Sequence, residues 1–387
     1  MIEADVLNEL EVVKSNPYKY IPEWMDGVLL HVGKKVFDVA ALLPCSHILP
    51  DLPFGASTVR AQINMIVLAG PGSGKSTLCK KFMRLVINPI TFRKITHPEL
   101  ITQMASLGMF TIVNEDFTQI SEDYEVIKDL EGALGEEKKI SDKTMRRKIE
   151  QTTQGIGLFC GTPSDLMRYM KNLEGGFFSR LVPKMISHSA DQHSEIGKYI
   201  NDGIGNVNHA EEMTIKEEAV VQFYKELRII QEGKNQKIPP VTRYDIPEDI
   251  KNKAYTTWDN LTRELVIDID AYWIRELHEF YRFMIAHSFL NIYNRKFDTF
   301  EVDTKEGKKQ YTILKPTQED FTVALKLMKD NIIFKYFLVK ATALNSKIRS
   351  VEALKAILNS KIPEQAKNIL LNISPFSAHL SNDKKHT

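Results

Sequence analysis

Residues 63–82 read INMIVLAGPGSGKSTLCKKF: an apolar run, a loop with glycines at 70, 72 and 74, and a Lys-Ser-Thr that opens a helical pattern. No other stretch restricts the fold as much. A short apolar run followed at once by a tight glycine loop and a helix is the start of a β-loop-α unit, and such units build parallel sheets covered by helices. The loop chemistry is equally restrictive. Gly70, Gly72 and Gly74 let backbone N–H groups wrap an anion, and the positive end of the helix points at the same place. Lys75 is spaced to reach β- and γ-phosphates and Ser76 to hold Mg²⁺, so Gly70, Pro71, Gly72, Ser73, Gly74, Lys75, Ser76 and Thr77 are the expected contacts of a nucleoside triphosphate. Ala69 stands at the usual first glycine of this motif.

Short apolar runs, MFTIV, IGLFCG and LVPKMI, alternate with amphipathic stretches after the loop, which extends the parallel sheet to about residue 190. MFTIV ends in Asn114, Glu115 and Asp116, where acidic groups orient Mg²⁺ through water and polarise the attacking water. If Val113 is the last buried residue, Asn114 takes the metal-side position, Glu115 activates water, and Asp116 can take over at the metal. The bland alternative is a helix start. Thr162, closing IGLFCGTP, is placed to set a hydroxyl between the acid and the γ-phosphate, or else merely caps a turn before Pro163. Arg180, in NLEGGFFSRLVP, is either a transition-state cation or a solvated charge.

Residues 1–60 are expected as a segment leading into this core, with a short amphipathic pattern and a hairpin at GVLLHVGKKVFDV; 61–190 form the core; 191–246 a linker and connecting helix; 247–380 a mainly helical C-terminal domain interrupted by a charged hairpin. A winged-helix-like form of that last domain is left open. Charged residues are 26% of the chain and no apolar run reaches membrane-spanning length, so no membrane association is expected; with no targeting pattern evident, the location is expected to be cytoplasmic. Formal net charge is +1, which excludes a globally basic nucleic-acid coat and confines any such surface to a local patch. Three separated cysteines, Cys45, Cys79 and Cys160, exclude a disulfide framework.

In order along the chain, STVRAQINMIVLAGPGSGKST, LEGALGEEKKIS, GGFFSRLVP, IRELHEFYRFMIAHS and PTQEDFTVALKLM resemble the AAA+ P-loop ATPases, and among them the minichromosome-maintenance-like replicative helicases and their viral and plasmid relatives. The resemblance spans about 57–335. It implies an α/β AAA+ fold, ATP and Mg²⁺ as cofactors, and a homo-oligomer, a hexameric ring, acting on single- or double-stranded DNA. It makes Ser179-Arg180 a finger donated to the neighbouring subunit and Arg275 a second sensor. The chain departs from the family in Asn-Glu-Asp-Phe where Asp-Glu is usual. Its 60 N-terminal residues are also too few for the large DNA-binding domain of cellular members, which suggests a compact element-encoded or viral form.

On a helix from 271 to about 293, Trp273, Leu277, Phe280 and Met284 share one face, and Arg275 and Arg282 lie opposite, where packing does not require them. In the resembled helicases a hairpin inserted just before the strand that here ends in IGLFCGTP enters the central channel; KKISDKTMRRKIEQTTQG would correspond to it, with Arg146, Arg147 and Lys148 at its tip and Lys138, Lys139 and Lys143 on its stem. Clustered cations give affinity for phosphate without reading sequence. A solvated amphipathic helix from Asp142, with Met145 and Ile149 inward, fits the same residues. The expected activity is ATP-driven motion on DNA, as in a replicative helicase. A DNA-packaging motor and a non-motor ATP-dependent initiator, loader or transcription regulator are the alternatives.

Overall fold

The run MIVLA is a strand with no wet face: Met65, Val67 and Ala69 enter one hydrophobic core, Ile66 and Leu68 the other, and all five are buried. That double burial sets the architecture in the computed structural model, which describes residues 2–54, 57–92, 94–117, 124–135, 138–140, 151–163, 177–204, 206–265, 271–304, 307–345, 348, 350–359, 367, 369–371 and 374.

Four helices come first, α1 (Ile2–Ser15), α2 (Pro17–Val28), α3 (Lys34–Ala40) and α4 (Leu43–Ile48), then a ribbon of β1 (Leu52–Phe54) and β2 (Ser57–Val59). The hairpin expected at 27–39 is instead the end of α2, a reversal through positive-φ His31 and Gly33, and α3. Its apolar residues mimic strand alternation, but Leu29, Val32, Val36, Phe37 and Val39 are all buried, as suits a helix pair packed on several sides.

The central sheet holds β3 (Met65–Ala69), β4 (Pro89–Thr91), β5 (Met109–Asn114), β7 (Gln151–Gly161) and β8 (Val182–Ile186), all parallel, in the order β4-β5-β7-β3-β8. A short β6 (Lys138–Ile140) pairs antiparallel with the head of β7, Lys138 opposite Thr153. The helices α5 (Lys75–Met83), α6 (His97–Leu107) and α7 (Tyr124–Gly135) connect the strands. This is an α/β fold with a five-stranded parallel sheet flanked by helices.

Beyond β8 lie α8 (Ala190–Gly203), α9 (Val207–Gln231), β9 (Val241–Tyr244), α10 (Glu248–Glu264), α11 (Ala271–Leu290), the hairpin β10 (Asp298–Thr304) and β11 (Gly307–Leu314), α12 (Gln318–Asn345) and α13 (Val351–Leu358). The sequence suggests a connection at 191–246, yet packing is continuous there. Phe223, Tyr224, Leu227 and Ile230 of α9 are buried in the same core as Val67, and the Tyr224 hydroxyl donates to the Ala41 carbonyl at 2.7 Å. Phe280, Phe283 and Phe289 of α11 and Met328 of α12 join that core too. The charged hairpin is present, with β11 also pairing parallel to β9.

Candidate active site

The glycine loop leaves β3 at Ala69 and enters α5 at Lys75. Gly72 and Gly74 have φ of +74° and +84°, a region that costs a side-chain-bearing residue strain, and it is this curl that turns successive N–H groups to one side. The Ser73 hydroxyl donates to the Gly70 carbonyl at 2.7 Å and braces the curl from within. The Lys75 ammonium folds into the concavity, donating to the carbonyls of Ala69 and, at 3.0 Å, Gly70. Gly70, Pro71, Ser76 and Thr77 are exposed, so the loop and the first turn of α5 offer their donors outward. Loop curvature, an inward cation and an open hydroxyl at Ser76 fit a triphosphate with Mg²⁺.

Beside the loop is a cleft of about 460 Å³, walled by Leu29, Leu30 and Val32 of the α2–α3 reversal and by Ile196, Tyr199 and Ile200 of α8. Polar contacts fix the walls to each other. The Tyr199 hydroxyl donates to the Gly27 carbonyl at 2.7 Å, a His188 ring nitrogen lies 3.1 Å from the His31 carbonyl, and His31 Nε2 is 2.6 Å from Glu195. Burial pulls the His188 imidazole below its usual range, against the His31 carbonyl and helped by the nearby His193 and His31 rings. An apolar slot of this size next to a phosphate loop suits a flat base. Sequence reading missed this wall. The signals were GVLLHVG, an apolar run with a single histidine, and KYIN, where Tyr199 and Ile200 stand in a polar stretch.

Burial in β5 runs one residue beyond Val113. Asn114 is fully buried, its amide donating to the Phe92 carbonyl at 2.8 Å and its Oδ1 accepting the Asp116 N–H at 3.1 Å. Its amide is thus engaged by backbone on both sides, and what it holds is the turn that presents Glu115 and Asp116. Glu115 opens on a neighbouring cleft of about 300 Å³ with Thr91 and Phe92 rather than on the loop cleft itself. The first turn of α5 lines one cleft and Met83 at its end lines the other, and the buried Cys79 thiol of that helix, pushed up by its contact with Cys160 at 3.5 Å and by burial, is pushed further by Glu115 and opposed by Lys75. Thr162 follows the last residue of β7, and Gly161 pairs with Leu68, which sets Thr162 level with Ala69. Because β7 lies between β5 and β3, Thr162 stands between the acidic turn and the loop.

Arg180 and Arg275 are elsewhere. Val182 pairs with Met65, so Arg180 lies beyond the start of β3, while the loop begins at the other end of that strand, roughly 13 Å along it. Arg180 Nη1 pairs with Glu131 of α7 at 2.6 Å. Arg275 donates to the Ser179 hydroxyl, which brings both arginines to one turn, 178–180. Asn64 anchors that turn: its Oδ1 accepts the Gly157 N–H at 2.9 Å, its amide lies 3.3 Å from the Leu134 carbonyl and 3.5 Å from that of Arg180, and its own carbonyl takes the Val182 N–H at 2.8 Å.

The face of α11 expected to be free of packing is not free. Arg282 donates to the Arg60 carbonyl at 2.8 Å and pairs with Glu279, and Glu276 and Glu279 are buried beside Lys335 and Asn331. A buried ionic face and a solvated one have the same residue pattern, which is why sequence does not separate them. The β6–β7 pairing lies at the same end of the sheet. Arg146, Arg147, Lys148 and the helix alternative from Asp142 lie outside the described residues. No described helix is long and apolar enough to cross a membrane. Comparison with protein-family models and with curated proteins finds no match.

Proposed function

We propose that this protein is a Mg²⁺-dependent ATPase that works on DNA as a ring of identical subunits, six in the resembled AAA+ family, with helicase action the leading activity. The observation that supports the reading is that the candidate residues fall at two opposite ends of one sheet. Lys75, Glu115 and Thr162 stand at the carboxyl ends of three neighbouring strands, and Arg180 with Arg275 lies at the amino ends. Arginines a strand's length from their own loop would complete a site by reaching the loop of the next copy, and head-to-tail repetition of that contact would give a ring where the rotation between copies closes.

In this reading the loop N–H groups and Lys75 hold the β- and γ-phosphates, and Leu29, Val32 and Tyr199 enclose the adenine. Ser76 would hold Mg²⁺ directly and Glu115 through water, Asp116 assisting; the ion would neutralise charge on the bridging oxygens. Glu115 takes the proton of the attacking water, Thr162 fixes the water's second hydrogen-bond direction, and Arg180 of the adjoining copy exchanges Glu131 for phosphate oxygens as charge develops. The antiparallel start of the β6–β7 arm supports a protruding hairpin, whose Arg146, Arg147 and Lys148 would contact the DNA backbone.

Strand displacement from a forked DNA duplex with ATP tests the motor, and sizing with a slowly hydrolysed ATP analogue tests the ring. A monomer with full ATPase activity overturns the ring. ATPase and DNA binding without displacement moves the reading to an initiator or loader.

A further inference from the structure

Lys184 stands in the middle of β8, paired with Val67, in a strand whose other residues are apolar. Lysine is rarely enclosed this way without a partner. It is 5% exposed and makes no hydrogen bond and no ion pair among the described residues. Its charged neighbours are Asp38, Asp330, Lys35 and Lys326, and the two carboxylates already have cations: Lys35 lies 3.6 Å from Asp330 and Lys326 lies 3.8 Å from Asp38. Three ammonium groups against two carboxylates leave one positive charge over, and it sits on the wall of a cavity of about 220 Å³ between β8, α3 and α12. Val36, Met185, Phe334 and Phe337 make most of the remaining wall.

We propose that this cavity binds a small monocarboxylate with an apolar body, its carboxylate on Lys184 and its body against Phe334 and Phe337. Lys35 and Asp330 also line the cavity but face each other, which leaves Lys184 as the one ammonium of the wall without an ion pair among the described residues, and one such cation matches a monoanion better than a phosphate, which needs several donors. The size admits a benzoate- or hexanoate-like molecule and excludes a nucleotide. Burial also pulls the Lys184 amine down to about 8, against the opposing charges of Asp330 and Asp38. The cavity adjoins the nucleotide cleft through two elements. Val32 walls the cleft while Lys35 and Val36 wall the cavity, and β8 leads from Lys184 to His188 at the cleft.

The site does not depend on the ATPase reading, and its test uses no nucleotide. Calorimetric titration of the full chain with acetate, hexanoate, benzoate and phenylacetate, and with phenylacetamide and inorganic phosphate as controls, should give saturable binding of one larger carboxylate per chain and none of the amide. Lys184→Met should weaken it by about tenfold or more, the loss expected when a desolvated charge pair is removed. Should that variant fail to fold, Phe334→Asp, which sets a carboxylate at the cavity mouth, should abolish binding instead. No saturation with any of the four acids, unchanged binding in the variant that folds, or phosphate binding as tightly as phenylacetate would overturn the proposal.

Discussion

The two ends of the central sheet are built by opposite means. At the carboxyl ends of the strands, glycines hold positive φ, Ser76 and Thr77 are exposed, and Lys75 is half-buried over the Ala69 and Gly70 carbonyls. At the amino ends nearly every polar group is engaged, with Asn64 tied to three segments and Arg180 paired to Glu131. An end that must accept a ligand keeps its hydrogen-bonding capacity open. In the proposed reading the other end presents a side chain to the next copy and fixes that side chain first.

The sharpest break between the two ends comes from Lys75→Ala, which should abolish nucleotide binding or turnover in an equilibrium-binding and phosphate-release assay. Glu115→Gln should keep binding and lose hydrolysis, since the amide keeps the shape but is a poor base; loss with Asp116→Asn instead would reassign the base to the neighbouring residue. Arg180→Ala should leave binding intact and cut turnover by about 10³ to 10⁵. Mixed with Lys75→Ala subunits, it should regain activity at interfaces that combine an intact loop with an intact arginine. No rescue at any ratio would mean that the far end does not serve a neighbour.

Smaller effects sharpen the comparison. Changing Arg146, Arg147 and Lys148 to Ala should spare DNA-free ATPase and flatten the log-affinity against log-salt slope for DNA by roughly 2 to 3 units. In urea unfolding, Asn64→Ala should cost about 2 to 4 kcal/mol because it strands buried backbone groups, whereas Ser73→Ala at the open end should cost about 1 kcal/mol.

A pH scan supplies a control at a group that belongs to neither candidate set. Burial pushes the Asp320 carboxyl up, but hydrogen bonds from His287, Thr317 and Arg295 outweigh it and hold the carboxyl below its usual range. Its folded value lies below the unfolded one of about 3.9, so the stabilisation is present above that pH and lost as pH falls through the folded value. Asp320→Asn should flatten the acid limb of the stability curve.

The loop and its strand were legible because their chemistry is local: the residues that shape the phosphate cradle are contiguous. Thr162 and Glu115 could be assigned to strand ends for the same reason. The base-side wall was not legible, since Val32 and Tyr199 become neighbours only after the whole sheet has formed between them. Nor was α9: Glu217 looks like a solvent residue in sequence but is buried against Lys81 and Arg84 of α5 and its C-terminal turn, and that pairing lets a polar-looking helix enter the core. Asn114 went the same way, as backbone hydrogen bonds recruited a side chain that its position beside two acids had suggested for metal.

One consequence of Asn64 is mechanical. β3 is five residues of extended backbone with the phosphate loop at one end and, immediately before the other, a side chain fastened to the Arg180 turn. An extended strand held on both edges by neighbouring strands is stiff along its axis, so a push at the loop is not absorbed within it. In the proposed reading β3 would act as a push rod, its play set by the Asn64 amide on the Arg180 carbonyl and the Asn64 carbonyl on the Val182 N–H. In a ring of such subunits, the timing between successive sites would be set by the tightness of that joint.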